Sequence, residues 1–585
     1  MDITIKINGI EVTAPSGTTI LQAARMAHIE IPTLCYLKDI NEIGACRMCV
    51  VEAKEGPRPA KLVAACVYPI SNGMEVLTNS QKVIACRKKN LELLLSNHNR
   101  SCLSCVRSGR CELQSLCREY GVEDEGKYDG VKTPSEIDDS AVHMIRDNSK
   151  CILCRRCVAV CEKVQAVGVI GANQRGFKTN IGSPFEMGLG ETSCVSCGQC
   201  IAVCPTGALH EKEYIDDVLA AIADPTKYVV VQTAPSVRAG LGEMFGLPIG
   251  TNVEGKMVAA LRRIGFDRVF DTDFSADLTI MEEANEFLER VKNGGKLPLI
   301  TSCSPGWIKY CEHYFPELTE NLSSCKSPQQ MLGAVIKTYF AETMGIDPKN
   351  IVSVSVMPCT AKKFEIGRPD QAANGVPDLD YTMTTRELAR MIKRAGIRWD
   401  DLPEEDFDQP LGESTGAGVI FGATGGVMEA ALRTAVEKLT GETLARPDFV
   451  DVRGVEGIKE ATYNVAGMDV KIAVASGLAN ARKLLDMVKS GEKTYHFIEI
   501  MACPGGCVNG GGQPQVHANV RNFVDIRAER AKVLYSLDEA NTIRKSHENP
   551  QIIELYKSYL GEPGSHRAHE LLHTSYVPRV VNKPM

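Results

Sequence analysis

In 585 residues the chain has no run of some 18 apolar residues, only 2 tryptophans, and no excess of basic over acidic side chains. Without such a run a membrane-spanning helix is not expected. The N-terminus, MDITIKING, reads as a strand rather than a basic-then-apolar export signal, so a cytoplasmic protein is the expectation. Lys plus Arg number 66 against 73 Asp plus Glu, a net charge of −7, and no basic block occurs. Nucleic acid and membrane surfaces are therefore poor partners, which leaves proteins and small molecules. A G-x-G-x-x-G that follows a strand and opens a helix is missing too, because GATGG at 422–426 lacks the spacing. The 44% hydrophobic content over this length suits about four globular domains.

Cysteine, by contrast, is plentiful: 23 residues, 17 of them before residue 205. An odd count, two-residue spacings and no export signal argue against a disulfide framework and for metal binding in a reducing compartment. Zinc sites usually need one group of four thiolate or imidazole ligands, whereas a longer pattern recurs here, which suits iron-sulfur clusters. Its clearest form is a duplicated C-x2-C-x2-C-x3-C, Cys151, Cys154, Cys157, Cys161 and then Cys194, Cys197, Cys200, Cys204 followed by Pro205. In this bacterial two-cluster ferredoxin pattern the fourth cysteine of each run ligates the other cluster. One [4Fe-4S] is thus assigned to Cys151, Cys154, Cys157 and Cys204, and the other to Cys194, Cys197, Cys200 and Cys161, in a module over 141–212. Glu162 stands where the first run usually has proline, which ligation does not require.

Two more sites precede this module. Ile3, Ile5 and Ile7 alternate with polar residues, Asn8-Gly9 offers a hairpin turn, and Thr19 with Gln22 forms a capping box, giving a small α+β unit over 1–79. Behind it Cys35, Cys46, Cys49 and Cys66, with Gly44, resemble the [2Fe-2S] loop of plant-type ferredoxins, although the outer intervals differ. A helical segment at roughly 81–96 leads into His98, Cys102, Cys105 and Cys111, in a module over 80–120. These four resemble a histidine-ligated [4Fe-4S] site; taken alone they fit zinc equally. Cys86 and Cys117 fall outside the patterns and are expected as buried thiols. The acidic stretch 121–140 reads as a surface connection.

From 216 to 585 the composition is that of an α/β domain, with strand-like segments at 228–231, 299–301, 351–356 and 472–475 between long helical patterns. Its cysteines sit at strand ends, where α/β proteins place their sites. Cys303 lies in TSCSPGW, Cys359 in MPCTAKK, and Cys503 and Cys507 in MACPGGCVNGGGQP, residues 501–514, after the apolar run 495–500. Pro504, Gly505 and Gly506 force a tight turn that lets both thiols face one object, and the glycines at 510–512 permit backbone to come very close to whatever is held. A bulky inorganic cofactor fits that geometry; a glycine-rich turn with two buried free thiols fits this stretch as well.

These three segments resemble the signature loops of the iron-only, or [FeFe], hydrogenases, and the likeness covers almost the whole chain. TAPSVR (233–238), DLTIMEEANE (277–286), SSCKSPQQ (323–330), GVIFGATGGVMEAALR (418–433) and the closing SHENPQIIELYKSYLGEPGSHRAHELLH all share it. The order of the N-terminal clusters matches the long clostridial type. The resemblance implies a multidomain α+β and α/β fold: a β-grasp [2Fe-2S] domain, a histidine-ligated cluster domain, a two-[4Fe-4S] ferredoxin domain, and a large α/β catalytic domain with a small-subunit-like C-terminal segment. It implies one [2Fe-2S] cluster, three accessory [4Fe-4S] clusters and an H-cluster, a [4Fe-4S] cube linked by a cysteine sulfur to a two-iron unit carrying CO, CN⁻ and azadithiolate. The implied activity is the reversible oxidation of H2 to protons and electrons. Carried over by position, Cys359 and Cys503 would bind the cube, and Cys507 would bridge to the two-iron unit. Lys362 would hydrogen-bond one cyanide. Pro235 and Ser236 would line the other cyanide, and Gln329, Met357, Phe421 and Met501 the rest of the pocket. The family's proton path maps to Cys303, Glu283, Ser323, Glu286 and Arg290, with the two carboxylates three apart on one helix face. Electrons would pass to an NAD(P)-binding iron-sulfur or flavoprotein subunit, or to ferredoxin.

The family loop usually reads Thr-Ser-Cys-Cys-Pro, its first cysteine relaying protons and its second ligating the cube; here the second position is Ser304. Ligation by Cys303 after a small loop shift is favoured, because thiolate suits cluster iron better than a serine oxygen. Ser304 through oxygen, or Cys325 or Cys311 in its place, are the alternatives. Ser304 also keeps open an H2-sensing or iron-sulfur-assembly relative without fast turnover, which the retained Lys362, Glu283, Glu286 and Met357 oppose. A purely electron-transferring subunit, as in complex I, would leave the pocket motifs without a role.

Overall fold

The computed structural model describes residues 1–123, 126–133 and 135–579. At the N-terminus the alternating isoleucines form the strand Asp2–Ile7, which turns through Asn8 and Gly9, both at positive φ, into the antiparallel strand Ile10–Pro15. Thr19 and Gln22 close the expected capping box on the helix Ile20–Met26, an interaction worth about 1 kcal/mol. Strand Glu75–Leu77 returns parallel to the first strand, and Val50–Lys54 and Lys61–Ala64 complete a five-stranded mixed sheet. The helix covers one face of it with Ile20, Leu21, Ala23 and Ala24, all fully buried. This is the β-grasp arrangement.

The helix Gln81–Asn97 is capped by Ser80 and delivers His98 at its C-terminal end. Cys86 and Cys117, expected as buried, are only half-buried, because each sits at the margin of its helix's packed face. Of the acidic connection at 121–140, residues 124, 125 and 134 lie outside the described residues. Ile137–Asp138 within it pairs as a strand with Met144–Asp147, and Asp138 accepts from Arg146 at 2.9 Å.

The duplicated cysteine motif folds twice into one backbone shape. Leu153 and Arg155 in the first run, and Ser196 and Gly198 in the second, occupy the same offsets and all have φ between 55° and 66°. Left-handed residues at two alternate positions wrap each run around a common centre, a conformation that non-glycine residues adopt only when something over-determines it.

The region after residue 216 contains two four-stranded sheets. One is wholly parallel, in the order Arg268–Asp271, Tyr228–Thr233, Ile351–Met357, Tyr381–Thr384. The other runs Leu299–Ile300, Phe497–Met501, Met468–Ser476, Ile458–Val465, with an antiparallel hairpin at its edge. The inner strands read as nearly unbroken apolar runs because helices cover both faces. The 22-residue helix Thr272–Asn293 contributes to the cores of both sheets, through Phe274 and Leu278 on one side and Ile280 and Ala284 on the other. The C-terminal ends of four parallel strands, at Thr233, Ile300, Met357 and Met501, each run directly into one of the motif loops.

Candidate active site and cluster-binding residues

The loop 501–514 is held by two buried arginines. Arg386 donates to the carbonyls of Gly511 (2.8 Å) and Gln513 (2.6 Å), and Arg530 to those of Val508 (2.8 Å) and Pro514 (3.1 Å). Each arginine is charge-balanced, Arg386 by Glu211 and Arg530 by Glu243. The glycines at 510–512 have a different role from the one expected. A Cβ on Gly510 would lie 2.1 Å from the Pro358 carbonyl, and one on Gly511 would lie 2.3 Å from that of Cys197. The close approach of Gly510 and Gly511 is to protein backbone and that of Gly512 to the Thr384 side chain as well as Pro358, so the cysteine loops lie tightly against one another.

Cys359, Cys503 and Cys507 meet there, with Cys197 and Cys303 beside them. The charged neighbours of the Cys503 thiol are the sulfurs of Cys359, Cys197 and Cys507, and the Cys507 thiol faces Cys359 and Lys362. Cys503 is buried, whereas Cys303, Cys359 and Cys507 are partly accessible. Desolvation pushes all four thiols up, Cys507 to about 12. Several thiols collected where a lone thiolate would be unfavourable fit a bound cation that makes them thiolates, as cluster iron does.

Cys303 and Ser304 face different groups. Beyond desolvation, the neighbours that raise the Cys303 thiol are Glu283, Cys507 and Glu499. The Ser304 hydroxyl accepts from the Ala502 N–H at 3.2 Å, beside Cys503. The side chains of Cys303 and Cys507 pack in one cluster with Phe421 and Met501, while Met357 packs in the neighbouring core. Lys362 donates to Ser327 Oγ (2.7 Å), Glu365 Oε2 (2.9 Å) and the Cys303 carbonyl (3.2 Å). Gln329 donates to the same Glu365 oxygen at 2.8 Å. Pro235 opens the helix Pro235–Gly240, and the Ser236 hydroxyl donates to Gly422 O at 3.3 Å.

Glu283 and Glu286 lie on one face of the helix Thr272–Asn293. Burial raises the Glu283 carboxyl to about 8, and one of its oxygens has no protein partner. The Ser323 hydroxyl donates to Glu286 at 3.1 Å, and Arg290 donates to Glu286 at 2.6 Å. Ser323, Glu286 and Arg290 are therefore joined by hydrogen bonds, with Glu283 one helical turn from Glu286 on the same face. Residues that sequence reasoning missed extend this network. Ser324 donates to Glu286 at 3.2 Å and contacts His573 Nδ1 at 2.8 Å, and His573 Nε2 lies 3.1 Å from Glu282. Glu365, the anchor of Lys362, was missed too, although its position three residues on along a helix was a usable signal.

Upstream, the modules touch through their cysteine loops. Asn41 donates to the carbonyls of Cys35 (2.7 Å) and Cys154 (3.0 Å), and Cys35 and Cys46 share a core with Cys111 and Cys154. A Cβ on Gly207 would lie 2.5 Å from Cys105 Sγ, and Cys111 Sγ is 3.6 Å from Pro205 O. His98 is 7% exposed and its Nδ1 has no protein partner. The second cysteine run adjoins the loop 501–514, with Gln199 donating to Asn509 O (2.8 Å) and Thr360 to Ser196 O (2.8 Å).

Residues 227–511 match the family described as iron only hydrogenase large subunit, C-terminal domain, and 524–579 match iron hydrogenase small subunit. The chain is 53% identical to the NADP-reducing hydrogenase subunit HndD of Solidesulfovibrio fructosivorans, over 99% of both chains. The chain belongs to the [FeFe]-hydrogenase family. Iron hydrogenase 1 of Clostridium pasteurianum is 45% identical over 98% of this hydrogenase and 99% of its own length. The structure of apo HydA1 from Chlamydomonas reinhardtii, a single-residue variant, matches with a TM-score of 0.57 and 45% identity, over 63% of this chain and all of that one. The N-terminal part matches a 2Fe-2S iron-sulfur cluster binding domain (1–81), an NADH-ubiquinone oxidoreductase-G iron-sulfur binding region (87–125) and a 4Fe-4S dicluster domain (150–208). The hydrogenase is an oxidoreductase that works with [2Fe-2S] and [4Fe-4S] clusters and an H-cluster. Among the described residues no helix is long and apolar enough to cross a membrane.

Proposed function

We propose that this hydrogenase oxidises H2 reversibly and exchanges the electrons with an NAD(P)-reducing iron-sulfur or flavoprotein subunit, in the cytoplasm. Full-length similarity to a subunit named as NADP-reducing supports the carrier, as does the absence of a dinucleotide fingerprint in this sequence. Four cluster sites are assigned: a [2Fe-2S] on Cys35, Cys46, Cys49 and Cys66, and three [4Fe-4S], on His98 with Cys102, Cys105 and Cys111, on Cys151, Cys154, Cys157 and Cys204, and on Cys194, Cys197, Cys200 and Cys161. Contacts from Asn41 and Gly207 support two branches, one from the [2Fe-2S] loop and one from the histidine site, that join at the Cys151 to Cys204 cluster. The wire then continues past Cys197 to Cys503.

The H-cluster, when bound, supplies the metal chemistry of H2 cleavage. Cys359, Cys503 and Cys507 would hold it, and Lys362, which donates to Glu365, would offer a cation to its diatomic ligands. Cys303 is assigned the proton relay, and the observation that carries this is its packing in one cluster with Cys507, Phe421 and Met501, while the Ser304 hydroxyl accepts from the Ala502 N–H beside Cys503. That assignment departs from the ligand role favoured on thiolate softness, and it makes Ser304 or a solvent molecule the group at the fourth cube corner. Protons pass from Cys303 to the neutral Glu283, then through Ser323 to Glu286 and out at Arg290. Infrared spectroscopy of the loaded protein tests the reading, with CO and CN⁻ bands expected together with H2 turnover. Bands without turnover would favour a sensing relative.

A further inference from the structure

Two buried side chains beside one pair of cysteine runs have hydrogen-bonding atoms that the protein leaves unused. His143 is 2% exposed, and neither ring nitrogen has a protein partner. Gln165 is 1% exposed; its Oε1 accepts from the Leu478 N–H at 3.3 Å, but its Nε2 has no protein partner. Both line the same cavity as Cys161, Cys194, Cys197 and Cys200. Buried N–H groups are rarely left unpaired in folded proteins, and two converging on one cavity mark a missing acceptor. Most of the other residues around this cavity are apolar, among them Val167, Val169, Ile170 and Leu189, and the amide of Gln199, which also lines it, donates to Asn509 O at 2.8 Å. Arg146 also borders the cavity; its Nη2 donates to Asp138 at 2.9 Å, while its Nη1 has no protein partner and is a third unused donor there.

The companion cavity, lined by Cys151, Cys154, Cys157 and Cys204, differs. The amide of Asn148 there donates to Ile181 O at 2.9 Å, and the hydroxyl of Thr206 donates to Lys150 O at 2.8 Å. Each of those two polar side chains donates to a backbone carbonyl, and Arg155, the charged residue that also lines this cavity, is exposed to solvent. The two cysteine runs share a backbone shape, so this difference in surrounding donors distinguishes the two sites.

We propose that His143 and Gln165 tune the cluster held by Cys161, Cys194, Cys197 and Cys200, donating N–H groups to its sulfur atoms and setting its potential above that of the companion cluster. Hydrogen bonds to cluster sulfur stabilise the more negative, reduced state and so raise the potential. The tuned cluster is the one whose Cys197 adjoins Cys503, so electrons leaving the active site meet their more favourable acceptor first. The inference rests on the ligand assignment made above.

The test is a redox titration followed by electron paramagnetic resonance on the full chain with its accessory clusters reconstituted, which needs no H2 turnover. His143→Leu and, separately, Gln165→Leu are expected to shift one [4Fe-4S] midpoint to lower potential and leave the companion where it was. His143→Gln, which restores a donor, is expected to recover part of the shift. Unmoved midpoints at full iron content in both leucine variants would overturn the proposal, as would an equal shift of both clusters. Cys197→Ala separates the two failures, since it must delete the signal that the leucine variants move. Deletion of a different signal means that the ligand assignment has failed, and the tuning proposal with it.

Discussion

Replacing Glu283 by glutamine keeps the shape of a buried side chain and removes its ability to pass a proton. The carboxyl rises from an ordinary 4.5 to about 8 in the fold, chiefly through burial. At about 1.4 kcal/mol per unit, that shift favours the neutral acid by about 5 kcal/mol, and near pH 7 roughly ten molecules in eleven carry the proton. Under the proposed relay Glu283 is thus a loaded donor at neutral pH, and glutamine in its place would break the path between Cys303 and Ser323. Dye-linked H2 evolution by Glu283→Gln should fall by about 10²- to 10⁴-fold, the usual contribution of a positioned proton-transfer group. Iron content and the CO and CN⁻ infrared bands should stay unchanged. Stability supplies a second readout with a fixed sign. Because the folded-state value lies above the unfolded one, the native state holds the proton longer, and this group's contribution to stability falls as pH rises from about 4.5 to about 8. The loss reaches about 3 kcal/mol by pH 7. The thermal midpoint of Glu283→Gln, relative to the unaltered protein, should therefore improve steadily across that window. Normal turnover with intact bands would refute the relay, and a midpoint difference flat with pH would refute the burial of a neutral acid.

Removing residues 1–212 should spare turnover with an artificial dye and abolish turnover with the physiological partner; an unchanged partner-linked rate would show that the N-terminal clusters are not the wire. Ser304→Cys should slow iron loss to a chelator if the fourth cube corner lies at Ser304, and should leave it unaltered if Cys303 is the ligand. Gly511→Ala must displace the Cys197 carbonyl, which its Cβ would approach to 2.3 Å, and is expected to cost about 1–3 kcal/mol of stability with slowed electron transfer between the cluster module and the active site. Glu365→Gln should weaken the positioning of Lys362 and shift a CN⁻ band, an effect absent if Lys362 is held mainly by Ser327.

The chemistry of this protein was largely legible in one dimension because metal sites depend on short spacings. C-x2-C-x2-C-x3-C places three thiols within one turn of chain, and that local geometry survives whatever surrounds it. The capping box at Thr19 and Gln22, the hairpin at Asn8 and Gly9, and the two glutamates on one helix face were likewise decided by neighbours a few residues apart. Tertiary structure decided what depends on distant partners. Cys303 and Glu283 are brought together only because a helix and a strand end from separate parts of the chain pack against one another. Cys303 packs against the cluster of Phe421 and Met501, whereas the Ser304 hydroxyl is held by the Ala502 N–H. His573 reaches Ser324 across 249 residues, so no local spacing could reveal it. The glycines at 510–512 looked like room for a cofactor and proved to be room for the protein itself, since a missing side chain does not say what comes close to it. Composition announces that iron is held; the packing of strand ends determines where the protons and electrons go.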